Sequence, residues 1–311
     1  MPRSWRTRSA SVVLGGALLA ATLVSAPAQA TGTTSAATVC GLGLGSVTAG
    51  GDHKVQVIRA TAPPSASTPV VRPTNLYPDG AARLPSSLGF EPVVPAGEQR
   101  AGFVVLGDRM YSTYYTLDGS GGTVPGSVGQ TLIGGGWAPN YRYFDRSLYY
   151  GSTAVRQNAY SLVGFALVRW TVSPTGGWRN YTSYKGFTSV KTMALISQTA
   201  TYDTFLANTY GGALYTIRVY TSGSAAPVVK KVRASTWQNF DSLVAVKCGT
   251  QSTLLLGIDK ETKAGYLYAV GHANGTATLI RSLGKVSATF SDPNYFRFFA
   301  DTPEAGHLFG E

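Results

Sequence analysis

The chain has 311 residues, with 26 Lys+Arg against 15 Asp+Glu and a formal net charge of +11. The cations are dispersed rather than gathered into a run, and no nucleic-acid motif accompanies them. The basic balance therefore speaks for solubility and attraction to anionic surfaces, and against nucleic acid as a partner. Only 13% of residues are charged, while there are 37 Gly and 18 Tyr and no long segment of helix formers at 3.6-residue spacing, which excludes a helical bundle or coiled coil.

Residues 1–30 read as a signal peptide. Arg3, Arg6 and Arg8 form a basic start, Ser11 to Val24 an apolar run, and Ala28-Gln29-Ala30 a small-residue cleavage site. The apolar run falls short of the roughly 20 residues that span a bilayer, and no later stretch is long and apolar enough for a membrane span. The mature protein is expected to be secreted and extracellular, with residues 31–38 a disordered tail and 39–311 a single domain. Cys40 and Cys248 are the two cysteines; an isolated pair in an exported chain predicts one disulfide.

Val39 to Val47 and His53 to Arg59 alternate like strands. Gly41-Leu42-Gly43-Leu44-Gly45 misses dinucleotide-binding spacing and stands in this strand context. Residues 61–73, with Pro63, Pro64, Pro69 and Pro73, read as an extended connector crossing the molecule. Hairpins follow: Leu167 to Ser173 with Trp178 onward, Leu214 to Tyr220 with Val228 to Val232, and Ala264 to Val270 with Thr276 to Arg281 around Asn274-Gly275.

Two series of markers recur at about 50 residues. One is a large aromatic at Phe90, Trp137, Phe187, Trp237 and Phe290; the other is Met110-Tyr111, Leu167-Val168, Leu214-Tyr215, Leu267-Tyr268 and Leu308-Phe309. Each unit has room for four short strands, and the last, from Phe290, is about half a unit. The expectation is an all-β fold, a β-propeller of five blades closed by an N-terminal strand that completes the last blade and removes an open edge.

Ile133-Gly134-Gly135-Gly136-Trp137 resembles the blade-opening motif of the tachylectin-like five-bladed propeller lectins, and Leu167 to Trp178 resembles that family's inner hairpin. The resemblance implies a lectin's job, binding N-acetylated amino sugars at sites repeated once per blade. The repeats here are divergent: Phe187 stands where a Trp is expected and Val168 where a Tyr is.

No catalytic constellation is apparent. His53, His272 and His307 are far apart in sequence, and neither a metal-ligand spacing nor a nucleophile elbow occurs. Asp118-Gly119-Ser120-Gly121-Gly122 has one carboxylate where a calcium loop needs several. Asp145, Asp241 and Asp292 hold matching places in their units; they read as turn residues bonded to local backbone N–H groups, or else as a carboxylate ring on one face. No metal and no cofactor is expected. Aromatic rings with polar neighbours are the better candidates, because a sugar stacks its C–H face on a ring while polar groups orient its hydroxyls. The candidate ligand residues are Trp237, Gln238, Asn239, Trp137, Tyr141, Trp170 and Trp178. The function expected is a lectin-like, carbohydrate-binding propeller whose partner is a cell-surface glycan or cell-wall polysaccharide. The alternatives are a propeller that binds another secreted protein, or a polysaccharide hydrolase or lyase.

Overall fold

The structure, a computed structural model, describes residues 39–311 apart from 96, 153, 154 and 174. The export signal expected over 1–30 and the tail over 31–38 lie outside the described residues.

The chain is built of strands. In order they are β1 (Gly41–Val47), β2 (His53–Arg59), β3 (Ser65–Ala66), β4 (Val70–Val71), β5 (Ala82–Pro85), β6 (Leu88–Val94), β7 (Gly97–Leu106), β8 (Arg109–Leu117), β9 (Gly129–Gly134), β10 (Tyr141–Tyr150) and β11 (Val155–Val163). There follow β12 (Ala166–Val172), β13 (Trp178–Lys185), β14 (Val190–Gln198), β15 (Tyr202–Thr209), β16 (Leu214–Tyr220), β17 (Val228–Arg233), β18 (Ser242–Cys248), β19 (Ser252–Asp259), β20 (Ala264–Val270), β21 (Ile280–Lys285) and β22 (Asn294–Ala300). Three antiparallel four-stranded sheets run β10 to β13, β14 to β17 and β18 to β21. A ten-stranded sheet holds the rest. In it β22 pairs antiparallel with β1, and a short parallel pairing of β22 with β6 joins this group to β5 through β9. Two of the three predicted hairpins form as expected; in the third, β20 does pair with β21, but Gly275–Ala277 is a 3-10 turn rather than the start of the returning strand, which begins at Ile280. The last strand is completed by the first two, as the alternation of both N-terminal segments led one to expect.

Burial follows strand order. The inner strands β14, β15 and β19 are buried over nearly their whole length, while the fourth strands β13, β17 and β21 are largely exposed. Those edges carry Arg179 and Lys185, Lys230 and Lys231, and Arg281 and Lys285, charges that discourage edge-to-edge pairing. The core is divided into clusters that each bridge two successive strand groups. Tyr160 and Leu162 meet Met193 and Phe205; Leu206 meets Trp237 and Leu255; Leu254 and Phe290 meet Leu42 and Ile58; Val47 and Phe296 meet Leu88 and Tyr115; Phe103 and Met110 meet Trp137 and Phe144. Burial at about 25 cal/mol per Å² of apolar surface makes these interfaces the main source of stability. The disulfide predicted between Cys40 and Cys248 is present and lies among the residues joining the third four-stranded sheet to β1.

Two hydrogen-bonding devices repeat. The N–H groups of Tyr77, Trp137, Phe187, Trp237 and Phe290 each donate to a turn between the second and third strands of the preceding group, at Gly51, Asp108, Phe165, Gly212 and Lys263. Four of the five predicted aromatic markers thus occupy one equivalent position. Phe90 does not: it lies within β6, and the equivalent position is Tyr77. The second device links each group to the next through a side chain. Arg83 donates to the carbonyls of Trp137 and Ala138, Arg142 to those of Phe187 and Val190, Lys191 to that of Gln238, Lys260 to that of Pro293, and Asn294 to that of Ala82. The last of these returns to the group in which the first begins.

The Pro-rich segment 61–73 is corrected. It does not cross the molecule; β3 and β4 fold back beside β2 as an interrupted edge strand. An edge tolerates proline because its outward N–H groups need no ladder partner.

Candidate functional site

Two places could hold a ligand. The first is an aromatic ledge on the sheet β10 to β13. Trp137, Tyr141, Trp170 and Trp178 come together there. Ring centroids lie 4.5 Å apart for Trp137–Tyr141, 5.6 Å for Trp137–Trp170 and 5.4 Å for Trp170–Trp178. Trp137 is only 6% exposed and supports the cluster from beneath. Trp178 is wedged against Phe103 at 5.4 Å and Phe144 at 5.9 Å, with its indole N–H buried and unpartnered among the described residues. Trp170, Trp178 and Tyr141 are half-buried, and Tyr181, 59% exposed, stands 5.6 Å from Trp170. Burial pushes the Tyr141 hydroxyl pKa up, and the neighbouring Tyr181 adds to the effect.

A β-bulge makes this ledge. Between the third and fourth strands, the pairing shifts at Met110/Tyr111, Leu214/Tyr215 and Leu267/Tyr268 in three other groups, three of the five markers of the second series; the expected marker Leu308-Phe309 instead lies after β22, where Phe309 bridges Ser197. The extra residues there are Ile133, Val232 and Leu283, whose aliphatic side chains enter the core. In β12–β13 the marker is Leu167-Val168 and its register is unbroken; the shift comes later, where Trp170 alone faces Asn180 and Tyr181. Asn180 adopts a positive φ of 53°, a conformation Asn tolerates better than most residues. The displaced bulge turns two exposed side chains outward beside Trp170, as bulges near binding sites often do. Tyr181 was not singled out from sequence; the signal that could have found it is the departure of Leu167-Val168 from the aromatic pattern.

The remaining candidates lie elsewhere. Trp237 is 5% exposed and packs on Phe240 and on Tyr268 at 4.8 Å, so its ring offers no face to a ligand. The expectation that Trp237 and Trp137 stack directly on sugar is corrected for the same reason: both are the equivalent core aromatic described above. Gln238 and Asn239 are exposed, and the Gln238 carbonyl is bonded by Lys191.

The second place is a cavity of about 200 Å³ lined by β5, β10, β14, β18 and β22 and by Lys260 from the turn after β19; the lining includes Arg83, Arg142, Tyr143, Asp145 and Arg297. At one end stand the linking side chains Arg83, Arg142, Lys260 and Asn294. The lining residue Arg297 is bonded to the segment after β22. Within it the Gly306 carbonyl accepts from Arg297, His307 accepts from the Tyr150 N–H, Leu308 exchanges hydrogen bonds with Gln198, and Gly310 bonds Ile196. A short helical turn, α1 (Pro303–Gly306), is N-capped by Thr302. Asp145 accepts from the N–H groups of Ser87 and Arg146, each at 2.8 Å, and Asp241 pairs with Lys191 at 2.8 Å and accepts from the Lys260 N–H. Asp292, by contrast, accepts from Ser46 and pairs with Lys54, away from this lining. The carboxylates therefore act across strand groups as well as locally. Burial lowers the Arg297 pKa to about 10, with Asp145 opposing the shift and Arg146 adding to it, so the guanidinium is charged at neutral pH. Burial and then Asp145 push the Tyr143 hydroxyl well up, so it stays a hydrogen-bond donor.

No protein-family model matches the chain, and no curated protein matches it. Among solved structures the chain is similar to the α-L-arabinofuranosidase PaAbf62A of Podospora anserina in complex with cellotriose, at 10% identity and a TM-score of 0.42, covering 71% of this chain and 74% of that one. No helix among the described residues is long and apolar enough to cross a membrane.

Proposed function

We propose that this protein is a secreted, five-bladed β-propeller that binds glycans through the aromatic ledge of its second blade. The observation that carries the reading is the displaced bulge. Where three strand groups use the extra residue to fill the core, this one uses it to set Tyr181 and Asn180 beside Trp170. Half-buried rings with exposed amides nearby, at Asn140 and Asn180, suit a sugar that stacks its apolar face and hydrogen-bonds its substituents. N-acetylated amino sugars are the first class to test. The five-blade reading is supported by the two hydrogen-bonding devices, one from the backbone and one from side chains, each occurring five times. The disulfide and the N-terminal export pattern support an extracellular site of action. With one ledge rather than five, the protein is expected to bind monovalently and without ring avidity.

The test is titration of the protein with N-acetylglucosamine oligomers, followed by tryptophan fluorescence. Saturable change is expected, with affinity falling by roughly tenfold, about 1.4 kcal/mol, on Trp170→Ala or Tyr181→Ala and unchanged on Gln238→Ala. Equal binding by wild type and both ledge variants would refute the assignment.

A further inference from the structure

Arg297 is 6% exposed, lines the central cavity and makes no ion pair among the described residues. Its one hydrogen bond runs from Nη1 to the Gly306 carbonyl at 3.3 Å, leaving Nε and Nη2 without a partner among those residues. The face of its guanidinium is covered by Phe299, 4.0 Å from the ring centroid. An uncompensated charge withdrawn from water costs several kcal/mol. Asp145 supplies part of the compensation through space, but it makes no ion pair or hydrogen bond with the guanidinium among the described residues. Arg83, Arg142 and Lys260 line the same cavity and donate to neutral carbonyls. Of the two lining carboxylates, Asp241 is taken by Lys191, and Asp145 is held by two backbone N–H groups. The cavity lining thus carries an excess of positive charge, and the Nε–Nη2 edge of Arg297 has no partner among the described residues.

We propose that the central cavity binds a small carboxylate, no larger than a single uronic acid, with Arg297 gripping the carboxylate through its free N–H groups. Guanidinium and carboxylate match as planar forks, which favours a carboxylate over a spherical anion. The volume of about 200 Å³ holds only some six or seven waters at about 30 Å³ each, which limits the ligand to monosaccharide size. This site is separate from the ledge and does not depend on it.

The experiment is isothermal titration of the full chain with sodium glucuronate, with glucose as the neutral match and acetate as competitor. Saturable one-to-one binding of glucuronate, displaced by acetate and not shown by glucose, is expected. Arg297→Gln should weaken it by roughly tenfold or more, Arg297→Lys should restore part of it, and Trp170→Ala should leave it unchanged. Equal binding of glucose and glucuronate, or no saturable binding of either carboxylate by the wild-type protein, would overturn the proposal. The wild-type arm needs no variant to fold.

Discussion

Histidine 53 gives the structure a measurable acid sensitivity. It begins β2, is 1% exposed, and lies between Phe296, stacked at 5.4 Å, and the edge of Phe298 at 5.9 Å. Its Nδ1 is hydrogen-bonded with the Tyr115 hydroxyl, and its Nε2 is buried without a partner among the described residues. Protonation would bury a second positive charge beside Arg100. Burial, and then the charge of Arg100, lower its pKa from 6.5 to about 3. Above pH 6.5 both folded and unfolded chains hold this histidine neutral. As the pH falls from 6.5 towards 3, only the unfolded chain takes the proton, so stability is lost across that window. Between pH 7 and pH 5 the loss is about 2 kcal/mol, from 1.36 kcal/mol per unit of separation. Urea unfolding at the two pH values should show it as a midpoint drop of about 0.7–1 M for a slope of 2–3 kcal/mol/M. His53→Phe keeps a ring in the space and abolishes the titration, so its pH dependence should be smaller by that amount, whatever its own stability. His307, lowered by burial, Lys247 and Arg156, contributes equally to both proteins and cancels. Identical pH dependence in wild type and His53→Phe, or a His53 titration near pH 6.5 in the folded protein, would refute the reasoning.

Two further outcomes follow from the fold. The Cys40–Cys248 bridge spans a sequence separation of 208. Its reduction should therefore cost about 3–5 kcal/mol on the chain-entropy account, read as a lowered urea midpoint with reductant that Cys40→Ser/Cys248→Ser reproduces. Arg142 ties its own strand group to the next through carbonyls of Phe187 and Val190 and also bonds Gly164. Arg142→Met should cost about 2 kcal/mol or more, since hydrogen bonds from charged groups are worth about 1.5–3 kcal/mol each and do not add fully. The exposed Arg179→Met should stay within about 0.5 kcal/mol.

The repeat, the hairpins and the pairing of the two termini were legible because each rests on local pattern: alternation, turn residues and a recurring aromatic. The first aromatic marker went to Phe90 because Tyr77 lies in a Pro- and Gly-containing loop with no strand pattern around it, and its role depends on a bond to Gly51, which is near only once β1 and β2 have folded. Exposure was not legible. Trp237 and Trp170 look alike in sequence, and only the neighbouring strands decide which ring is sealed. Tyr181 was hidden because a bulge, not spacing, sets it beside Trp170. Arg297 was hidden because its isolation is a property of the space between strand groups far apart in the chain, and a lone arginine in Phe296-Arg297-Phe298 carries no mark of it.

The most direct test of the central claim is retention of the purified protein on immobilised chitin and peptidoglycan, with wild type beside Trp170→Ala and Tyr181→Ala of matched melting temperature. The account predicts retention of the wild type, release by free N-acetylglucosamine, and loss in both variants. Retention of the variants at the wild-type level, or passage of the wild type through every glycan surface, would contradict it.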